Sequence, residues 1–406
     1  MIIEIKKGLP SGTFVAPPSK SYAHRQLICA ALSHKGCCVS NIHLSDDIKA
    51  TLSCLDSLGF KYEYKRNKVT FFRLDISQQE KRTFLCNESG STLRFFIPIA
   101  LTLGGVNEFC GTKKLISRGI DIYDDICKEN GIKVTHSEEK IVFEGKLKPG
   151  VFRIRGDISS QFITGLFFAL PLLDGDSEII VTTNLESRPY VDISLDVLSK
   201  YGIQIKEKES NHFYIQGNQK YKGVDTKVEG DYSNAAFLDA FSLFSKDISV
   251  KGLNKDSRQG DRIYIDLFEK IRQGYVNIDV SECPDLAPIL FALSGVFYGG
   301  HFEGTRRLRI KESDRCESMK EELSKFGINL GIGDNYVDVE KIDGPIENKK
   351  ITKQLNSHND HRIAMSLSVL STLCGASICG AECVKKSFPS FFDVLKNHGV
   401  KIRKLD

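Results

Sequence analysis

No apolar run in this 406-residue chain approaches the ~20 residues that a membrane-spanning helix needs, so a helical span is not expected. The opening MIIEIKKGLPSGTFVAPPSK has no charged segment followed by an apolar one; it alternates, and reads as a first strand, not a secretion signal. A strong excess of one charge is also missing. With 56 Lys+Arg against 52 Asp+Glu the net charge is +4, too balanced for the basic stripe of a nucleic-acid binder. Neither a GxxxxGKS/T loop nor a GxGxxG turn occurs, so no nucleotide cofactor is indicated. No GxSxG elbow accompanies Asp360 and His361, whose order does not fit a Ser-His-Asp triad. Of the 12 cysteines, Cys29, Cys54 and Cys127 sit in apolar contexts, and the adjacent Cys37 and Cys38 make a poor disulfide. Cys374, Cys379 and Cys383 lack the fourth donor of a structural zinc site. Reduced, buried thiols in a cytoplasmic protein are expected, with neither metal nor cofactor.

What is present is a repeat. At 406 residues, 41% apolar and 27% charged, two globular domains are the natural expectation. A helix end, a glycine and an alternating segment recur at Gly59, Gly131, Gly202, Gly274, Gly327 and Gly399, separated by 72, 71, 72, 53 and 72 residues. Each glycine fits a left-handed position after a helix, and each following segment fits a strand pair. A second series runs in step with it. Polar phrases marked by Ser21, Gly90, Ser160, Ser233, Asp285 and Asp360 precede almost wholly apolar runs, at spacings of 69, 70, 73, 52 and 75. Polar caps before apolar runs predict buried central helices. Two series in phase predict a repeated βαβαββ-like unit, three per domain. The crossover falls near Glu229, giving one discontinuous domain of residues 1–18 and 230–406 and another of 19–229.

The polar phrases also carry cations. Lys20, Arg25, Arg118, Lys311, Arg315, Arg362 and Lys386 stand at or near helix starts. Helix N-termini favour carboxylates over cations, so this arrangement is locally unfavourable unless an anion compensates. Arginine pairs bidentately with phosphate and carboxylate, and helix starts that converge offer further N–H donors. The pattern therefore predicts an enzyme that holds small anionic ligands.

The phrases PPSKSYAHR, ESGSTLR, LISRG, GDISSQF, ESRPY, EGDYSNAAF, CPDLAP, RIKESDR, NDHRIAM and VKKSFPSFF, running from Pro17 to Phe392, together resemble the enolpyruvyl transferase family. The resemblance implies an α/β (α+β) fold of two similar domains, each of three βαβαββ-like units with inward helices, an inside-out α/β barrel with the active site in the cleft between them. It implies transfer of the enolpyruvyl group of phosphoenolpyruvate to the 5-hydroxyl of shikimate 3-phosphate, with phosphate released. No nucleic-acid or membrane partner follows, and a monomer is implied. By position, Lys20 contacts both substrates. Ser21, Arg25, Ser159, Ser160, Gln161, Ser187 and Tyr190 correspond to shikimate 3-phosphate ligands, joined by Asp285 and Lys311 at the 5-hydroxyl. Gly90, Arg118, Gln161, Arg315, Arg362 and Lys386 correspond to the phosphoenolpyruvate side, which the resemblance assigns mainly to the discontinuous domain. Asp285, Glu312, Lys20 and Lys311 are the implied catalytic groups, Glu312 near the methylene carbon.

Two positions depart from the family pattern: Glu88 and Arg307 stand where asparagine is common. The branch of the family that acts on UDP-N-acetylglucosamine carries a catalytic cysteine five residues before the position of Arg118; here that residue is Lys113, and the nearest cysteine is Cys110. The resemblance also implies inhibition by glyphosate, since Gly90 leaves space that a methyl group would fill.

Overall fold

The computed structural model describes residues 1–33, 36–72, 80–209 and 211–405. Ser210, in the third repeat phrase, and Asp406, which ends the sixth, lie outside them. The chain divides into two compact units, Pro18–Glu229 and Met1–Pro17 with Gly230–Asp406.

In the Pro18–Glu229 unit three four-stranded sheets share one order. Thr226–Lys227, Cys38–Ser40, Lys68–Phe71 and Tyr62–Lys65 form the first. Lys81–Asn87, Val106–Gly111, Lys140–Glu144 and Lys133–His136 form the second, and Val151–Ile154, Ser177–Val181, His212–Ile215 and Ile205–Glu209 the third. In each, the first two strands are parallel and the remaining pairings antiparallel. A parallel pair requires a crossover, and the apolar helices Gly90–Leu103 and Ser160–Ala169 supply it in the second and third sheets; in the first, Lys20–Leu32 leads into Cys38–Ser40, whose parallel partner Thr226–Lys227 comes from the end of the unit. These helices are buried almost all round, whereas Asp46–Ser57, Asp121–Asn130 and Arg188–Lys200 bury one face each. The core therefore surrounds the inner helices, with side chains from all three repeats in one apolar cluster.

The other unit repeats this plan with one omission. Val276–Asp279, Gly300–Glu303, Tyr336–Val339 and Leu330–Ile332 make one full sheet. Leu355–Asn356, Ala376–Cys379, Ile2–Ile5 and Ile402–Leu405 make another, so the N-terminal strand completes the last repeat. The remaining sheet has only two parallel strands, Gly12–Val15 and Ile248–Lys251. Its inner helix is Tyr232–Asp239 and its outer helix Tyr264–Gln273, after which the chain enters the next repeat at Val276 with no hairpin.

The strand pair expected after Gly274 is therefore absent, which accounts for the short spacings of 53 and 52 residues in the two series. The backbone agrees. Gly59, Gly131, Gly202, Gly327 and Gly399 have φ between 69° and 96°, where a Cβ is disfavoured. Gly274 has φ 174°, an extended conformation open to any residue.

The helix starts also correct the sequence reading by one or two residues. The capping side chains are Ser19, Ser89, Ser159, Asp231 and Asp360, not Ser21, Gly90, Ser160 or Ser233. Asp285 does not cap: the Ala287–Phe297 helix starts after Leu286 without a side-chain cap, leaving the Asp285 carboxylate for other partners. The four hydroxyls of the buried His361–Cys374 helix are satisfied within it. Ser366, Ser368, Ser371 and Thr372 donate to carbonyls three or four residues back at 2.7–2.8 Å. No helix among the described residues is long and apolar enough to cross a membrane.

Candidate functional site

The predicted site residues form one cluster in each unit. In the Pro18–Glu229 unit Lys20, Ser21 and Arg25 lie on the first inner helix, Gly90 opens the second, and Ser159, Ser160 and Gln161 open the third. Ser187 and Tyr190 stand at the start of Arg188–Lys200, and Arg118 ends the short Lys113–Ser117 helix.

Arg25 is 3% exposed, and none of its partners among the described residues is a carboxylate. Its Nε donates to Ser194 Oγ at 2.8 Å, Nη1 to the Ser21 carbonyl at 2.8 Å, and Nη2 to the Tyr190 carbonyl at 3.1 Å and Thr164 Oγ1 at 3.4 Å. The guanidinium lies over the Phe95 ring, 5.2 Å from its centroid. Burial pushes its pKa down to about 10, so it remains charged at neutral pH. A buried cation without a counter-ion is costly by itself and gains most when an anion arrives.

Arg118 is half buried and has no carboxylate partner among the described residues, where its Nε is buried without an acceptor. Gly90 lies against it: a Cβ on Gly90 would stand 3.1 Å from Arg118 Nη1 and 3.3 Å from Cζ. Lys20 differs. It pairs with Asp47 at 2.8 Å, both partly buried. Gln161 is held from two sides, accepting from Arg94 Nη1 at 2.7 Å and donating to Ser91 Oγ at 3.0 Å. Ser187 is 1% exposed and sits in left-handed backbone at φ 57°, ψ 41°. For a residue with a Cβ this costs about 1–3 kcal/mol, a strain that clusters at ligand sites.

In the second unit Asp285, Lys311, Glu312, Arg315, Arg362 and Lys386 come together. Arg315 is 1% exposed. Its Nε donates to Asp360 Oδ2 at 2.9 Å, Nη1 to Asp285 Oδ1 at 2.9 Å and Nη2 to Glu312 Oε2 at 3.1 Å. Arg362 is also buried, and donates to Asp285 Oδ2 at 3.1 Å, Ser233 Oγ at 2.5 Å and Asn234 Oδ1 at 3.3 Å. Lys386 Nζ donates to the Asn359 carbonyl at 2.6 Å. His358 and Asn359, just before the Asp360 cap, both have left-handed backbone, and His358 Nε2 donates to the buried Glu322 carboxylate at 3.0 Å.

The electrostatics separate the two groups at the centre of this cluster. Burial alone would raise the Asp285 pKa, but the Arg362, Lys311 and Arg315 charges outweigh it and hold the carboxylate well below its usual range. Lys311, 3.9 Å from Asp285, is pushed down to about 8, first by burial and then by the Arg307 and Arg315 charges, against the pull of Asp285. At neutral pH Asp285 is thus a fixed anion, and Lys311 is a cation poised to lose its proton.

The residues that the resemblance assigns to each substrate do not divide cleanly between the two units. Lys20, Gly90, Arg118 and Gln161, assigned to phosphoenolpyruvate, lie in the Pro18–Glu229 unit; Asp285 and Lys311, assigned to the 5-hydroxyl, lie in the other. Each unit thus carries residues that the resemblance assigns to both ligands. Sequence reasoning missed Asp47, Arg94, Thr164, Ser194, Ser233, Asn234 and Asp360 as partners. Arg94 had a signal, four residues after Gly90 in ESGSTLR. Asp47 had none, because an acidic residue in a first helical turn is ordinary.

The sequence model of the family described as EPSP synthase (3-phosphoshikimate 1-carboxyvinyltransferase) matches residues 6–395. The 3-phosphoshikimate 1-carboxyvinyltransferase of Clostridium beijerinckii is 41% identical, covering 98% of this chain and 97% of its own. That of Clostridium acetobutylicum is 42% identical, covering 96% and 95%. A solved EPSP synthase of Acinetobacter baumannii shares the fold with a TM-score of 0.76 at 21% identity over 99% of both chains. The enolpyruvyl transferase NikO of Streptomyces tendae does so with 0.78 at 14%, over 99% of this chain and 98% of that one. On the family match and the two clostridial relatives, the chain belongs to the EPSP synthase (3-phosphoshikimate 1-carboxyvinyltransferase) family.

Proposed function

We propose that the chain transfers the enolpyruvyl group of phosphoenolpyruvate to the 5-hydroxyl of shikimate 3-phosphate and releases phosphate. The observation that carries this reading is the pair Arg25 and Arg118, cations without a carboxylate partner among the described residues; the other unit holds an acidic and basic cluster suited to proton transfer. Holding two anions near each other costs about 1–4 kcal/mol per charge pair at ~4 Å, and these cations offset it. Ser21, Ser159, Ser160, Ser187 and Tyr190 join Arg25 on shikimate 3-phosphate. Arg315, Arg362 and Lys386 join Arg118 on phosphoenolpyruvate, with Lys20 and Gln161 shared. The same reading makes the two small anions its partners and places a monomeric enzyme in the cytoplasm.

The reaction is an addition followed by an elimination. Lys311, held by Asp285, takes the proton of the attacking hydroxyl. Glu312, with Lys20, delivers a proton to the methylene carbon, which gives a tetrahedral ketal phosphate. Return of the carbon-bound proton then expels phosphate. Because Lys311 must be neutral to act as base, kcat/KM should rise with pH through about 8. Arg307→Asn removes a charge that depresses Lys311, so the midpoint of that limb should move upward in the variant. A pH–rate profile of both proteins checks this, and an unmoved midpoint counts against Lys311 as the base.

Arg25→Met tests the ligand assignment. It should weaken shikimate 3-phosphate binding by ~10²-fold, within the cost of removing one charged, hydrogen-bonded partner, as read by calorimetric titration; binding within twofold of the parent overturns it. Gly90→Ala presses a methyl group on Arg118. It should raise the KM for phosphoenolpyruvate about tenfold, the low end of overpacking costs, and weaken competitive inhibition by glyphosate by more than that. Steady-state kinetics with and without glyphosate measure both.

A further inference from the structure

His24 belongs to none of the groups used above, yet it is 1% exposed one helical turn after Lys20. Its Nδ1 lies 2.6 Å from Thr51 Oγ1, and Thr51 Oγ1 lies 2.9 Å from Thr92 Oγ1. Thr92 Oγ1 donates to Ser89 Oγ at 2.8 Å, and the Thr92 N–H reaches the same oxygen at 3.3 Å. All four side chains are at least 99% buried, and they link the Lys20–Leu32, Asp46–Ser57 and Gly90–Leu103 helices.

The bonds have one direction. A hydroxyl has a single proton. Thr92 gives its proton to Ser89, so Thr51 must donate to Thr92, and Thr51 then has none left for His24. Nδ1 must therefore carry a hydrogen and donate to Thr51, which leaves Nε2, buried without a partner, as the bare nitrogen of a neutral ring. Burial, with Lys20 and Arg25 nearby, holds the ring pKa well below its ordinary value.

We infer that His24 is a positioning residue for the Gly90 end of the site, acting through this directed chain to Ser89. Ser89 caps the helix that Gly90 opens, and both of its acceptor contacts are with Thr92. Without Thr51 as donor, the Thr92 hydroxyl is free to turn back onto a carbonyl of its own helix, a competing bond that Ser and Thr form readily. The cap then loses one of its two contacts. A shift of a few tenths of an ångström matters there, because Gly90 already packs closely against Arg118. The Lys20–Asp47 pair joins the first two helices one turn before His24–Thr51, so the chain also fixes the residue that both ligands share.

The inference rests on the proposed reaction for its kinetic consequence, but not for its chemistry. Nitrogen-15 NMR of histidine-labelled protein, with His24 assigned by the signal lost in His24→Asn, reads the tautomer directly. A neutral ring protonated at Nδ1 across pH 6–9 is expected; a ring protonated at Nε2 alone overturns the chain, whether or not the enzyme turns over these substrates. Kinetics supply the second arm. Thr51→Val and His24→Leu should each raise the KM for phosphoenolpyruvate about tenfold and the KM for shikimate 3-phosphate less than twofold. The double variant should be no worse than either alone, as for groups acting as a unit. His24→Asn, which keeps an N–H near the Nδ1 position, should stay within about twofold of the parent. A merely structural role predicts lower thermal stability with neither KM selectively changed, and that result overturns the proposal. If the parent protein itself fails to consume phosphoenolpyruvate with shikimate 3-phosphate, the reaction assignment fails, and the NMR arm still decides the chain.

Discussion

Asp285→Ala should lower turnover by ~10²–10⁴-fold, the usual contribution of a group acting in proton transfer, while the KM for phosphoenolpyruvate stays level or falls. The carboxylate touches three cations: Arg315 at 2.9 Å, Arg362 at 3.1 Å and Lys311 at 3.9 Å. Removing it takes away the group that holds the Lys311 amine. It also frees positive charge on Arg315 and Arg362, which favours anion binding. A falling kcat with an unraised KM separates this role from simple substrate affinity. A rise in KM with turnover intact would mean that Asp285 only organises the arginines.

The second large effect is on stability. Arg315→Met leaves Asp360, Asp285 and Glu312 without their shared cation, and Asp360 is wholly buried. Breaking a buried ion pair from one side costs about 3–5 kcal/mol, so the urea midpoint of the Met1–Pro17 and Gly230–Asp406 unit should fall sharply. Asp360→Asn in the same protein should recover a large part of the loss. Asparagine keeps the helix cap, where Asp360 Oδ1 accepts from the Arg362 N–H at 2.9 Å, and removes the uncompensated charge. No recovery in the double variant would mean that the loss comes from packing.

The sequence was legible where one residue type is forced by local backbone. Five of six repeat glycines occupy left-handed positions, which few other residues tolerate, so their period was visible without any contact being known. Gly274 carried the same letter for another reason, and the missing hairpin behind it showed only as a spacing of 53. The cations of the two clusters were legible because they break a helix-dipole preference. Their partners were not. Arg315 meets Asp360 45 residues away and Arg362 meets Asp285 77 residues away, and nothing local marks such pairs. Asp285 read as a helix cap because Asp before an apolar run usually is one; only the geometry shows its oxygens turned to Arg315 and Arg362.

Arg307 shows what a departure from the family pattern does here. It is buried, and its charge contributes to the depressed pKa of Lys311. The position therefore tunes the proposed base, and a family member with a neutral residue there is expected to run its acid limb at higher pH.

The central claim is the pairing of these substrates, and phosphate release measures it directly. Purified protein with phosphoenolpyruvate and shikimate 3-phosphate should release one phosphate per enolpyruvyl group transferred, and phosphoenolpyruvate with UDP-N-acetylglucosamine should release none. Release with UDP-N-acetylglucosamine alone, or with neither acceptor, would contradict the account.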